Sequence, residues 1–188
     1  MITVAVHRYL STLLLSICSL ACSVQAAATE APPPIRDEIP QAVLQGTGSY
    51  RWFGLAIYDA ALWISAGNPS DMRQRFALDL TYARNLYGSK IAEASIDEIG
   101  KLKLGTTEKR QQWLLQMKGI FPDVKEGSRI TGIHIPNEAA RFYLNGKLLG
   151  EIRDPEFTHS FFAIWLDKKT SAPDLRNKLL GNSEQTYQ

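Results

Sequence analysis

The order of apolar and polar residues along the chain predicts a run of strands followed by a run of helices. Residues 43–65 are rich in aromatic and aliphatic side chains and predict two strands joined by a tight turn at Phe53-Gly54. Phe76 to Ala83 alternates apolar and polar positions, as a half-buried strand does. The first part of the globular region therefore predicts three consecutive strands.

The period then becomes helical. Ser89 to Leu104 places its apolar residues near one stripe, which is typical of an amphipathic helix. Thr106 or Thr107 can cap a second helix that ends at about Ile120. We therefore expect two consecutive helices after the third strand.

A second run of strands and helices completes the pattern. Three strands are predicted at 128–134, 140–144 and 147–152, and Asn145-Gly146 between the last two is a strong hairpin signal. Asp154 and Pro155 open a helix that continues through Phe157 to Leu166, and a short helix follows from Pro173 to Leu180. Segregated runs of this kind indicate an α+β domain, an antiparallel sheet covered on one face by helices. A cleft between these two layers could hold an apolar ligand.

The first 26 residues differ from the rest of the chain. An apolar run from Leu10 to Ala21 is followed by the small-x-small pattern Val24-Gln25-Ala26, which predicts a secretory signal peptide over residues 1–26. About 12 apolar residues are short for a membrane anchor, which needs about 20. A lipoprotein site at Cys22 fits the sequence before it less well. We expect a periplasmic or secreted protein with no stable membrane span after cleavage.

The segment boundaries follow from composition. Residues 27–42 are proline-rich and without periodicity, which predicts a linker or an arm lying on the surface. The globular domain is expected over residues 43–181, with a C-terminal tail over 182–188.

Charge and cysteine content exclude several functions. The chain of 188 residues has a net charge of +2 and two cysteines, and both cysteines lie within the predicted signal peptide. No dedicated nucleic-acid surface, thiol chemistry or cysteine metal site is therefore expected. His134 and His159 have no other ligand at metal-binding spacing and are expected to be structural or surface residues. We expect no metal and no cofactor, and we expect the four tryptophans to be core residues first.

Tyrosine and arginine are concentrated near the predicted strands. An arginine in a sheet cleft would suit a carboxylate or phenolate, with a tyrosine hydroxyl completing the site. In the alternative interpretation, the tyrosines cover the edge of the core and the arginines point to water. The residues of this group are Tyr50, Arg51, Tyr58, Tyr82, Arg84, Tyr87 and Lys90.

Several strings, in this order and spacing, resemble the chalcone isomerase family and specifically its bacterial secreted branch. They are GTGSYR at 46–51, GLAIYDAALW at 54–63, LTYAR at 80–84, NGKLLG at 145–150 and FFAIWL at 161–166. The resemblance implies an open-faced β-sandwich, a large antiparallel sheet with a layer of helices. Plant enzymes of the family close 2′-hydroxychalcones to flavanones, whereas fatty-acid-binding relatives hold an acyl chain and clamp its carboxylate with an arginine and a tyrosine.

The resemblance also implies roles for four residues. Arg51 and Tyr58 match the carboxylate clamp of the fatty-acid binders, and Tyr87 and Lys90 match two catalytic positions of the enzymes. Ala94 stands where the enzymes have an asparagine, which weakens the prediction of chalcone cyclisation.

Three hypotheses remain open from the sequence. The first is a secreted binding protein for a small amphipathic acid, fatty-acid-like or aromatic. The second is an intramolecular lyase or isomerase acting on a conjugated carbonyl compound. The third is a module that binds a partner protein and has no ligand cleft. The sequence leaves the oligomeric state undetermined.

Overall fold

The computed structural model describes residues 29–65 and 72–182 of the chain. The predicted signal peptide, residues 66–71 and residues 183–188 of the predicted tail lie outside the described residues.

One antiparallel sheet forms the centre of the described structure. Each strand pairs with the next strand along the chain, so the sheet is a simple meander in the order β1 to β6. Tyr58 of the second strand lies between Tyr50 and Tyr82 of its two neighbours, a register that places three tyrosines side by side. The strands are β1 (Val43–Trp52), β2 (Leu55–Ile64), β3 (Phe76–Tyr82), β4 (Arg129–Ile135), β5 (Ala139–Leu144) and β6 (Lys147–Ile152).

Five helices accompany the sheet within the described residues. Four of them confirm the predicted α+β class, because they form one layer on one face of the sheet. The fifth helix, α1, was not predicted. The helices are α1 (Pro33–Glu38), α2 (Gly88–Lys101), α3 (Thr107–Ile120), α4 (Pro155–Leu166) and α5 (Pro173–Leu179).

Two predicted caps are confirmed. Thr106 Oγ1 accepts a hydrogen bond from the Lys109 backbone N–H at 3.2 Å, which fixes the start of α3. The Asp154 carboxylate accepts from the backbone N–H groups of Glu156 and Phe157 at the start of α4. It also accepts from the Trp113 indole N–H at 2.9 Å, so this single carboxylate joins α3 to α4.

The two faces of the sheet pack against different layers. On β2, Leu62 and Ile64 belong to the large hydrophobic cluster under α2 to α5, whereas Trp63 between them belongs to a second, smaller cluster. We call the face under α2 to α5 the inner face and the opposite face the outer face.

Helix α1 covers part of the outer face and lies within residues 27–42, for which the sequence predicts a linker or an arm lying on the surface. Ile35 and Ile39 are 0% and 2% exposed and pack against the outer cluster. Glu38 binds Arg75, Arg141 and the Tyr143 hydroxyl. Two apolar residues four positions apart therefore anchor this short helix on the outer face of the sheet. The prolines of the segment obscure the helical spacing of these apolar residues in the sequence.

Gly46 and Gly48 allow the last helix to lie close to the edge strand. A Cβ at Gly46 would come within 2.1 Å of the Lys178 carbonyl oxygen, and one at Gly48 within 2.8 Å of a Leu175 methyl carbon. These glycines therefore serve close packing of α5 against β1 and not a phosphate loop.

Candidate functional site

A cavity lies between the inner face of the sheet and the helix layer. Its volume is about 420 Å³, within the range of about 300–1,000 Å³ that is usual for small-molecule sites. Its walls come from β1, β2 and β3 on one side and from α2 and α4 on the other. Most of the wall is apolar, with Leu80, Ile91, Phe161 and Ile164 among its residues.

Three tyrosines from adjacent strands form the main polar feature of the cavity. The rings of Tyr50 and Tyr58 stack at 5.2 Å, and those of Tyr58 and Tyr82 meet edge-on at 6.1 Å. All three side chains line the cavity. We call Tyr50, Tyr58 and Tyr82 the tyrosine cluster.

Two hydroxyl groups of this cluster can serve a ligand. The Tyr58 oxygen accepts a hydrogen bond from the Trp165 indole N–H at 3.0 Å, which leaves the tyrosine's own proton available for donation. Tyr82 is only 4% exposed, and within the described residues its hydroxyl has no hydrogen-bond partner. Buried polar groups are almost always paired, so a ligand or water is expected at this hydroxyl.

Burial keeps both phenols protonated. It raises the pKa of Tyr58 and of Tyr82 well above the ordinary value of 10.0, with the Trp165 hydrogen bond acting in the opposite direction on Tyr58. Both groups are therefore neutral hydrogen-bond donors at physiological pH. They suit an acceptor such as a carboxylate, a phenolate or a carbonyl oxygen.

Helix α2 supplies the charged groups of the cavity wall. Lys90 pairs with Glu93 at 2.8 Å, and Lys101 pairs with Glu98 at 2.7 Å. Each hydrogen bond raises the pKa of its lysine, so both amines remain cationic. Lys101 also interacts electrostatically with Tyr50, which puts a cation at the end of the cavity where the tyrosine cluster lies.

The structure brings two of the four predicted site residues to the cavity. Tyr58 and Lys90 line it. Arg51 lies between Tyr50 and Trp52 on β1, whose side chains both line the cavity, so the alternation of the strand directs it to the opposite face. It is exposed, and its guanidinium donates to the Gly54 carbonyl oxygen at 3.2 Å. Tyr87, at 69% exposure, is also absent from the cavity wall. Contact of any of the four with a ligand stays a prediction.

Tyr82, Trp165 and Lys101 also line the cavity, and none of them was chosen as a site residue from the sequence. Tyr82 belonged to the tyrosine and arginine group, and its spacing of two from Leu80 on an alternating strand is a signal that could have selected it. Lys101 lies three turns beyond Lys90 on the same face of α2, a helical spacing that could have selected it. Trp165 lies on a helix far away in sequence, and no local pattern indicates that it reaches this site. The prediction that all four tryptophans are core residues is wrong for Trp52, which is 58% exposed, and holds for Trp63, Trp113 and Trp165.

Residues 29–65 and 72–182 contain no group of three or more histidine, cysteine, aspartate or glutamate side chains placed to hold a metal ion. His134 is buried and stacks on Phe76 at 4.4 Å, while its Nδ1 lies 3.1 Å from the Gln74 carbonyl oxygen. His159 is exposed on α4. In the same described part of the chain, no helix has the length and apolar character needed to cross a membrane.

The fold and the sequence of the chain both match a known protein family. The architecture, an antiparallel meander with helices enclosing a cavity on one face, is that of a chalcone-isomerase-like fold. The model of the chalcone isomerase-like family matches residues 24–181, and the chain belongs to this family.

A solved structure agrees with this fold. A fatty-acid-binding protein of Arabidopsis thaliana is similar with a TM-score of 0.59 and 14% sequence identity, over 76% of this chain and 88% of that one. At this identity the likeness shows the fold alone. A search of curated proteins found no match.

Proposed function

We propose that this chain binds a small amphipathic acid, fatty-acid-like or aromatic, in the cavity between the inner face of the sheet and α2. The observation that supports it most is an apolar cavity of about 420 Å³ that contains buried tyrosine hydroxyls free to donate. The similar fold of a fatty-acid-binding protein also supports the proposal that the cavity binds a ligand of this kind. We further propose that the protein acts in the periplasm or outside the cell, on the basis of the predicted signal sequence.

The orientation of the ligand follows from where polarity is concentrated. Its apolar part lies against Leu80, Phe161 and Ile164, since burial of apolar surface contributes about 25 cal/mol per Å². Its acid group accepts hydrogen bonds from Tyr58 and Tyr82, the two buried donors. Such a bond to a charged group contributes about 1.5–3 kcal/mol.

In this orientation of the ligand, α2 supplies the cation that pairs with the acid group. The sequence assigned this role to Arg51, which instead lies on the other face of β1. Lys101 lines the cavity beside Tyr50 and can take the role while it remains paired with Glu98. Since Lys101 is largely exposed, its contribution is smaller than that of a buried arginine.

Calorimetric titration with dodecanoic acid and dodecanol tests the proposal. Wild type should bind both, and Ile91→Trp, which enlarges a cavity wall residue, should remove binding of both. Leu115→Trp is the matched control, because Leu115 is 71% exposed on α3 and does not line the cavity. Equal affinity in wild type and Ile91→Trp would contradict the proposal, as would no binding by wild type to either compound or to a cinnamic acid.

The two ligands also separate the roles of the polar residues. Lys101→Met should weaken binding of the acid about threefold and leave the alcohol unchanged, as expected for an exposed ion pair. Tyr82→Phe should weaken binding of both, since each has an oxygen that can accept. Lys103→Met and Arg51→Ala are controls that should change neither affinity, because neither residue lines the cavity.

A second candidate function is an intramolecular lyase acting on a chalcone-like conjugated carbonyl compound. The observation that favours it is Lys90 on the wall of the same cavity as two neutral phenol donors, which could polarise a carbonyl oxygen. Closure of 2′-hydroxychalcone, followed by absorbance, should then exceed the spontaneous rate and fall in Lys90→Met. A rate equal to the spontaneous one would remove this candidate and leave the binding proposal intact.

A further inference from the structure

The turn between β1 and β2 exposes an unusual amount of apolar surface. Trp52, Phe53 and Leu55 are 58%, 87% and 52% exposed, and the rings of Trp52 and Phe53 meet edge-on at 4.9 Å. We call residues 52–55 the aromatic tip. Three large apolar side chains within four residues form a protruding patch that folding leaves in water.

The backbone of the aromatic tip has a left-handed conformation that does not favour phenylalanine. Phe53 and Gly54 have φ values of 47° and 79°, and Asn145 and Gly146 in the β5–β6 turn have nearly the same values of 49° and 86°. This left-handed conformation favours asparagine and glycine. Asn145 also accepts a hydrogen bond from the Arg129 backbone N–H at 2.8 Å. Phe53 adopts the disfavoured conformation and buries almost none of its ring, so the fold gains little from it.

Two arginines lie near the aromatic tip. Arg51 precedes it, and Arg84 lies beside the start of β2, because the neighbouring Ala83 N–H donates to the Ile57 carbonyl oxygen at 2.9 Å. Within the described residues neither guanidinium forms an ion pair.

We propose that the aromatic tip docks on the surface of a lipid bilayer that contains anionic lipids. Trp52, Phe53 and Leu55 enter the boundary between headgroups and acyl chains, and Arg51 and Arg84 lie at the level of the phosphates. A protein partner needs about 800 Å² of complementary surface, which three side chains on a convex turn do not provide, whereas a bilayer imposes no such shape. Tryptophan and arginine are also the residues that favour the membrane interface.

Quenching of tryptophan fluorescence by brominated lipids tests this docking on the full chain. Trp52 is the one exposed tryptophan of the four, since Trp63, Trp113 and Trp165 are at most 7% exposed. Residues 1–28 contain no tryptophan, so vesicle binding through the apolar run near the N-terminus gives no such signal. Vesicles of brominated phosphatidylcholine with phosphatidylglycerol should quench wild type, and Trp52→Phe should lose the quenching.

Phe53→Asn separates docking from folding, because asparagine suits the backbone of this turn better than phenylalanine does. The variant should be at least as stable as wild type and bind the vesicles at least about fivefold more weakly, as expected from the lost burial of one aromatic ring. The combined Arg51→Gln and Arg84→Gln variant should lose the preference for anionic over neutral vesicles. Leu115→Asn, at an apolar residue of α3 that is 71% exposed, is the matched control and should bind as wild type does.

Three results would overturn the proposal. The first is the absence of fluorescence quenching in wild type, and the second is a vesicle affinity of Phe53→Asn equal to that of wild type. The third is a wild-type dimer in sedimentation that becomes a monomer in Phe53→Asn, because this result would assign the aromatic tip to contact between two copies of the chain. Titration with dodecanoic acid in the absence of vesicles reports the ligand cavity separately, so the two proposals can fail independently.

Discussion

The two faces of the sheet differ in whether their buried polar side chains have hydrogen-bond partners. On the outer face the buried carboxylates are paired: Asp79 accepts from Arg129 and from the Thr131 hydroxyl at 2.6 Å, and Glu38 holds two arginines and a tyrosine. On the inner face the Tyr82 hydroxyl has no partner in the described part of the chain, and a cavity lies beside it. Paired carboxylates indicate a structural role, whereas an unpaired hydroxyl next to empty volume indicates a ligand site. The buried Trp63 indole N–H of the outer face also has no partner within the described residues, but it lies in the outer cluster and does not line the cavity.

This comparison predicts that substitutions of the paired and apolar residues on the outer face change stability and leave ligand binding unaffected, and that substitution of the Tyr82 hydroxyl on the inner face weakens ligand binding and changes stability little. The largest effect on stability is expected for Ile35→Ala. Ile35 of α1 is fully buried against the outer face, so removing its side chain should lower the free energy of unfolding by about 3 kcal/mol. Urea denaturation measures the loss, and an exposed control, Leu115→Ala, should change it by less than about 0.5 kcal/mol. An equally small loss for Ile35→Ala would mean that α1 is not an integral layer.

Glu38→Gln tests the paired charges of the same face. It removes the charge while keeping the size, and should lower the free energy of unfolding by about 1–3 kcal/mol, because two arginines lose a charged acceptor. The Arg141 guanidinium, the Tyr143 hydroxyl and Arg75 hold the pKa of Glu38 below 4.5 despite the opposing effect of burial. Its contribution should therefore be present above pH 4.5 and decrease as the pH falls below that value. A variant as stable as wild type at pH 7 would contradict the pairing.

Protonation of His134 should lower the stability of the fold at a higher pH than protonation of Glu38 does. Burial lowers its pKa from 6.5 to about 4, so the folded state holds the neutral ring while the unfolded chain takes up a proton below pH 6.5. Stability should be full above pH 6.5 and fall by about 1–2 kcal/mol between pH 6.5 and pH 5. His134→Phe, which keeps the stacking on Phe76, should remove this slope even though it loses the contact with the Gln74 carbonyl. A slope that persists in the variant would assign it to other groups.

The smallest effects on stability are expected inside the cavity. Tyr82→Phe removes a hydroxyl that has no partner within the described residues, so the free energy of unfolding should change by less than about 0.5 kcal/mol. Tyr58→Phe should cost about 1 kcal/mol, because it deprives the Trp165 indole N–H of its acceptor. A cost for Tyr82→Phe that equals or exceeds the cost for Tyr58→Phe would show that the Tyr82 hydroxyl is structural.

Most of the fold could be predicted from the sequence because its signals are local. The strand predicted at Phe76 to Ala83, the Asn145-Gly146 turn and the caps at Thr106 and Asp154 each have signals within a few residues and are confirmed. The prediction that this strand is half-buried is wrong, because both faces of β3 are covered. Helix α1 was missed because Pro32 to Pro34 obscure its start and its burial depends on a sheet formed later in the chain.

The site could be predicted only in part. Tyr58 and Lys90 line the cavity as the resemblance implied, but Arg51 does not. Arg51 lies between Tyr50 and Trp52, and the alternation of the strand places its side chain on the opposite face; which face of β1 meets the cavity depends on the packing of the sheet, which residue spacing does not give. Trp165 joins the site through a hydrogen bond to Tyr58 across 107 residues of sequence, a contact that no local pattern indicates.

The measurement that most directly tests the distinction between the two faces is the dissociation constant of dodecanoic acid in paired variants. Ile91→Trp and Tyr82→Phe alter the inner face, and Ile35→Ala and Glu38→Gln alter the outer face, all measured where each variant is folded. We expect loss of binding in Ile91→Trp, about fivefold weaker binding in Tyr82→Phe and unchanged affinity in both outer variants. Weaker binding in the outer variants with unchanged binding in the inner ones would contradict the assignment of the ligand to the inner face.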